Sequence, residues 1–295
     1  MVTADLLAAA DPWRFHTHPE VWLVLLVAGG GYWWALARLP ARLGIAEDQV
    51  ATRRQRLSFW SGFAFVGVFS SWPIHDIAEK YLYSVHMAQH MVFTLIAPPL
   101  LLLGIPAWLT RWILRPAALR GFATRFARPM VAGVMFSAFQ AFVHWPLLVN
   151  TSLEHEWVHF LVHFLLFSSA MLMWFPVLNK DPEYPMMSHP TRIMYLFAQS
   201  IIPNVPVAFL AFATTPVYSF YAHVARPFGG DAVTDQQVAA AIMKVGGTTL
   251  IWSIILFMFF SWYESEQNPP SPTLPEVLTW DDVEHALAAS EPRSS

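Results

Sequence analysis

Seven apolar runs divide the chain, at about 20–38, 57–74, 86–110, 129–149, 157–179, 192–214 and 238–263. Each is long enough for a helix to cross a bilayer, which takes about 20 residues. The pattern predicts an all-α integral membrane protein, a bundle of seven transmembrane helices. Residues 1–19 then form an outer N-terminal tail, 20–263 the membrane domain, and 264–295 a disordered cytoplasmic tail. That tail is rich in Pro, Ser and acidic residues, with room for a short helix near Val283 to Ala289. Pro98-Pro99 in the third run and Pro203 and Pro206 in the sixth predict kinks. Lys244 interrupts the seventh.

Basic residues set the orientation. The segment after the first run holds Arg38, Arg42, Arg53, Arg54 and Arg56, and the segment after the third holds Arg111, Arg115, Arg120, Arg125 and Arg128. Lys180 and Arg192 flank the segment after the fifth. The opposite segments carry only Lys80 and Arg226, with Arg14 in the tail. The N-terminus is therefore expected outside and the C-terminus in the cytoplasm. The stretch Arg111 to Arg128 alternates Arg with Ile113, Leu114, Leu119, Phe122 and Phe126, as either an interfacial helix or a plain basic loop.

Composition supports the membrane reading. Apolar residues make up 56% of the 295 and charged residues 13%, against about 25% charged in a soluble domain. Without Cys, neither a disulfide framework nor a thiolate metal site is expected. The first residues lack a basic n-region with a cleavage site, so the first span is expected to direct insertion. No phosphate-binding Gly loop occurs, and no nucleic-acid partner is expected.

The candidate chemistry lies in the histidines. His86 and His90 stand four residues apart, one helical turn on one face, as do His159 and His163. Histidine is costly to bury in a membrane, so two matched pairs point to a site. With the orientation above, His16, His18, His75, His86, His90, His144, His155, His159, His163 and His223 fall on the outer side and only His189 and His285 inside. The second to fifth spans thus bring imidazole to one depth. Asp76 and Glu156 are carboxylates close by, as ligands or as partners fixing an imidazole tautomer. For His16, His18 and His223 a structural role is the simpler reading. Met87 and Met91 are soft thioethers that suit Cu(I), although methionine in an apolar helix usually packs.

Imidazole suits Cu, Zn, Fe and Ni. Apolar walls with few carboxylates favour an ion of low charge, which makes Cu(I) the first choice and zinc the second. Haem b is the alternative cofactor, with His90 and His163 as facing axial ligands of a b-type cytochrome. A copper permease is a third reading, with the broken spans lining a path. A zinc hydrolase lacks the His-Glu-x-x-His pattern. Lys244 either snorkels outward towards Asp235 or faces the histidines, and Asp235-Gln236-Gln237 reads as an N-cap and polar first turn.

Several segments together resemble one family. They are Ser71-Trp72-Pro73-Ile74-His75-Asp76, Ser84-Val85-His86-Met87-Ala88-Gln89-His90-Met91, Glu154-His155-Glu156-Trp157-Val158-His159 through His163 to Trp174-Phe175-Pro176, and Asp235-Gln236-Gln237 with Trp252. With the seven spans they resemble the CtaG-type cytochrome c oxidase assembly factors over about residues 20 to 263. At the last helix the chain departs from that pattern, with Val238-Ala239-Ala240 in place of glycines. The resemblance implies a non-enzymatic bacterial membrane protein that supplies copper to the copper-B centre of a haem–copper oxidase. Its partners would be the oxidase catalytic subunit, periplasmic copper chaperones and lipid. His75, Asp76, His86, His90, His159 and His163 would handle the metal, with His144 at the same depth as a further candidate.

Overall fold

The structure is a computed structural model that describes residues 11–179, 181–202 and 205–267, with Trp280 and Glu284. Helices and turns make up the described residues, and no strand occurs among them. In chain order the elements are α1 (Pro19–Leu43), α2 (Glu47–Val50), α3 (Arg53–Phe69), α4 (Ile74–Lys80), α5 (Tyr83–Gly104), α6 (Ala107–Ile113) and α7 (Ala117–Phe126). They continue with α8 (Pro129–Val143), α9 (Pro146–Glu154), α10 (Glu156–Leu178), α11 (His189–Ile201), α12 (Val205–Phe212), α13 (Ser219–His223) and α14 (Ala232–Gln267).

All seven apolar runs fall on helices. By length and apolar character, α1, α5, α10 and α14 can each cross a membrane, and the bent pairs α3–α4 and α7–α8 raise the candidates to six. The sixth run falls on α11 and α12, which lie on either side of residues 203 and 204, outside the description. The last helix starts at Ala232 and continues through Gln267, past the expected start of the tail. The helix expected near Val283 to Ala289 lies outside the described residues, Glu284 excepted. Between Arg111 and Arg128 the chain is helical rather than a plain loop. Helix α7 turns 82° from α8 and exposes Leu119 and Phe122, which suits a helix lying across the bundle end. Beside it Arg111 donates a hydrogen bond to Asp181 and holds that carboxyl below its usual range.

Local chemistry explains the helix limits. Helix α1 opens on Pro19 and stops at Gly44, whose φ of +67° is the left-handed conformation glycine adopts freely. Thr52 and Gln55 cap α3 reciprocally. In α5 the kink is a π turn at Val92–Ile96 just before Pro98-Pro99. Pro98 has no N–H for the Thr94 carbonyl four residues back. The indole of Trp174, fully buried on α10, donates to that carbonyl at 2.9 Å. A backbone group freed inside the bundle is thus satisfied by a neighbouring helix.

Close approach of α3 to α5 rests on small residues. Gly62 lies against Ala97 O and Gly104 against the Phe59 backbone. Ser58 donates to Leu100 O at 2.7 Å and Tyr32 to Gly104 O at 3.0 Å.

The start of α14 braces the start of α5. Asp231, not Asp235, is the N-cap of α14, accepting from Val233 N and Thr234 N. Asp235 instead accepts from Tyr83 N at 2.8 Å and Ser84 N at 3.1 Å, capping α5 from another helix, and Arg226 reaches it at 3.3 Å. Lys244 is exposed in a second π turn, Ile242–Gly246, and is not among Asp235's partners. Losing the cap strands two N–H donors and removes one partner of the half-buried Arg226, so Asp235→Ala is expected to cost about 1–3 kcal/mol. Its melting midpoint in mild detergent should fall by several degrees while Asp231→Ala costs less; equal shifts would refute the brace.

Candidate metal centre

Helix α10 packs closely on the Val92–Gly104 part of α5, and beyond it the two histidine pairs stand face to face. His86 and His90 on α5 are 6% and 2% exposed, and His159 on α10 is 4% exposed. Within each pair the rings stand 4.5 Å (α5) and 4.2 Å (α10) apart between centroids. Across the helices His86 lies 5.4 Å from His159 and 5.3 Å from His163, and His90 lies 4.9 Å from His163. The Nε2 atoms of His90 and His163 are 3.1 Å apart, a hydrogen bond in which one ring is the donor.

Helix α4 closes the group from a third side. It bends 47° from α3, which lays His75 over the α10 pair, 5.6 Å from His159 and 6.4 Å from His163. Gln89, fully buried on α5, fixes this position: its Nε2 donates to Phe69 O at 2.7 Å and meets His75 Nδ1 at 3.0 Å. If Gln89 donates to Nδ1, the His75 proton sits on Nε2.

The arrangement suits a metal ion. One nitrogen each from His86, His159 and His163 lie within 4.8 Å of one another. Nitrogen donors on one ion at about 2.0–2.1 Å lie no more than about 4.2 Å apart, so slight ring rotation closes the set. Both nitrogens of His159 and Nδ1 of His86 and of His90 are buried without a hydrogen-bond partner. Buried polar atoms are nearly always satisfied, and an ion would satisfy orphaned imidazole nitrogens such as those of His86 and His159.

Other sequence candidates fall elsewhere. Asp76 does not join the imidazoles. One residue round α4 from His75, it pairs with Lys80 at 2.7 Å and with His18 at 3.1 Å and His16 at 3.0 Å. His144 donates through Nδ1 to Gln140 O at 2.6 Å and stands 6.2 Å from His90, at the edge of the group. Met87 packs among Tyr83, Val149 and Tyr218, and Met91 against Gly247, so the thioethers are core and the facing donors are imidazoles. His155 and Glu156 are exposed. His223 is exposed and bonded to Ser219 O. The N-terminal tail is a working part: His16 and His18 latch it onto α4. Glu79 was missed altogether. One turn after His75 on the same face, it stands 3.6 Å from His75 Nε2 and 3.8 Å from His159 Nδ1. The i,i+4 spacing of His75 and Glu79 was the signal available.

The cytochrome c oxidase caa3 assembly factor model (Caa3_CtaG) matches residues 30–265, most of the chain and all the facing histidines. The chain belongs to this assembly-factor family. It is also similar to uncharacterized proteins of Mycobacterium bovis and Mycobacterium tuberculosis, 27% identical to each over 78% of this chain and 38% of theirs. A third, from Mycobacterium leprae, is 24% identical over 72% of this chain and 35% of its own length. The chain thus spans under two fifths of these relatives. No solved structure matches it. The chain is thus a member of a caa3 assembly-factor family with several helices long and apolar enough to cross a membrane.

Proposed function

We propose that this assembly factor binds copper on the imidazole group and hands it to the copper-B centre of the oxidase catalytic subunit, without itself catalysing a reaction. The supporting observation is the all-nitrogen group of His86, His159 and His163, with orphaned ring nitrogens inside a membrane protein of oxidase assembly. Three neutral imidazoles suit Cu(I), whose single charge costs least to bury. In this reading the chain crosses the bacterial inner membrane seven times, with its N-terminus and the histidines on the outer side, where copper chaperones would load it.

A cavity of about 440 Å³ beside the group joins His75, Glu79, His159 and His163 to apolar Phe160 and Phe164. A wall of this kind favours lateral transfer to another membrane protein. The b-type cytochrome reading fits less well. His90 and His163 meet ring to ring, with His86 5.3 Å from His163 and 5.4 Å from His159, so the space where a porphyrin would lie is filled by further imidazoles. The permease reading lacks a continuation: among the described residues both metal-capable groups lie at this one end and share His159.

Metal content and an absorption spectrum of protein purified in mild detergent test the proposal. Wild type is expected to carry near-stoichiometric copper without haem absorbance, and His86→Ala/His90→Ala to lose it. A reduced b-type spectrum lost in the double variant would replace copper with haem. Copper retained by the double variant would move the site elsewhere.

A further inference from the structure

We propose a second cation station, formed by His75, Glu79 and His159, that takes a divalent ion beside the all-imidazole group. One donor atom from each of these residues lies within 4.8 Å of the others. The station shares His159 with the group of His86 and His163, so the two compete for that ring. It rests on the proposed copper function only for the identity of the neighbouring group's ion.

Glu79 is the observation that carries it. Its side chain is 12% exposed, and its ion-pair neighbours are His75 and His159. The adjacent Lys80 is engaged by Asp76 at 2.7 Å. A carboxyl enclosed by two imidazoles offers an oxygen donor beside their nitrogens, and a cation is what completes such a mixed set. His159 supplies the second observation: it is almost fully buried, with neither nitrogen hydrogen-bonded.

The two groups differ in charge. With a divalent ion, Glu79 and two neutral imidazoles leave one positive charge buried, whereas three imidazoles leave two. Carboxylate with imidazole suits Zn²⁺ or Cu²⁺, and imidazole alone suits Cu⁺ better. The cavity wall includes His75, Glu79, His159 and His163 but not His86 or His90, so an ion can reach the station from it.

Two titrations on the full chain in mild detergent separate the stations: Zn²⁺ against a competing chelator, and Cu⁺ under reductant against a Cu⁺ chelator. Outer-shell changes at metal sites already cost about 10–100-fold in affinity, so loss of a ligand should cost at least tenfold. Glu79→Gln is expected to weaken Zn²⁺ at least tenfold and leave Cu⁺ within about threefold. His75→Ala should repeat this pattern, and Glu79→Asp should restore part of the Zn²⁺ affinity. His86→Ala should weaken Cu⁺ and spare Zn²⁺. Unchanged Zn²⁺ binding in both Glu79→Gln and His75→Ala, each monodisperse on gel filtration, would overturn the station. So would equal losses of both metals in them. Glu79-dependent Zn²⁺ binding without any Cu⁺ binding would sustain the station and sink the copper function.

Discussion

His159→Ala is expected to have the largest functional effect of any single substitution in the chain. It belongs to both metal-capable groups, and each keeps only two donors without it. In a strain lacking the wild-type gene, this variant should support no more oxidase activity than the empty strain at limiting copper, a loss of at least tenfold. The purified variant should bind neither Zn²⁺ nor Cu⁺ within tenfold of wild type. His155→Ala is the matched control, one turn earlier and exposed, and should mature oxidase normally. His90→Ala should fall between them. His90 lies outside both groups but hydrogen-bonds His163, so its loss frees that ring to turn rather than removing a donor. Normal oxidase maturation by His159→Ala at limiting copper would show that assembly does not run through these histidines.

The part of this site read from sequence is the part that regular helix geometry fixes. Four-residue spacing was enough to put His86 over His90 and His159 over His163, and helical apolar runs placed both pairs inside the bundle. What spacing does not give is which helices are neighbours or which way a short connecting helix turns. His75 and Asp76 were equal candidates in the sequence. The 47° bend after α3 turns His75 inward and Asp76 towards Lys80 and the tail. Glu79 was overlooked because it lies beyond the apolar run, in what reads as a connecting segment. Asp235 looked like a cap for its own helix because capping is local by default. Its actual partners, Tyr83 and Ser84, are about 150 positions away. The sixth apolar run falls on α11 and α12, on either side of residues outside the description.

Gly104→Ala is expected to have the largest effect on stability. A Cβ there would lie 2.5 Å from Phe59 N and 2.6 Å from Phe59 Cα. Both are backbone atoms, so no side-chain rotation relieves the overlap and α3 and α5 must move apart. Gly104 has no positive φ, so the requirement is space and not backbone conformation. Forced separation of a packed interface costs about 1–3 kcal/mol and sometimes more. It should also lengthen the bonds from Ser58 to Leu100 O and from Tyr32 to Gly104 O. Gly121 on α7 has open space around it, so Gly121→Ala should be neutral or stabilise by about 0.5–1 kcal/mol through helix propensity. Thermal retention of the monodisperse peak in detergent compares the two directly, with Gly104→Ala many degrees below wild type and Gly121→Ala at or above it. The effect should reach the metal stations, because α3 leads directly into α4. Displacing α3 from α5 moves His75 and Glu79 relative to His159, so Zn²⁺ affinity should fall in Gly104→Ala. Cu⁺ affinity should hold better, since α5 and α10 carry His86, His159 and His163 without help from α3.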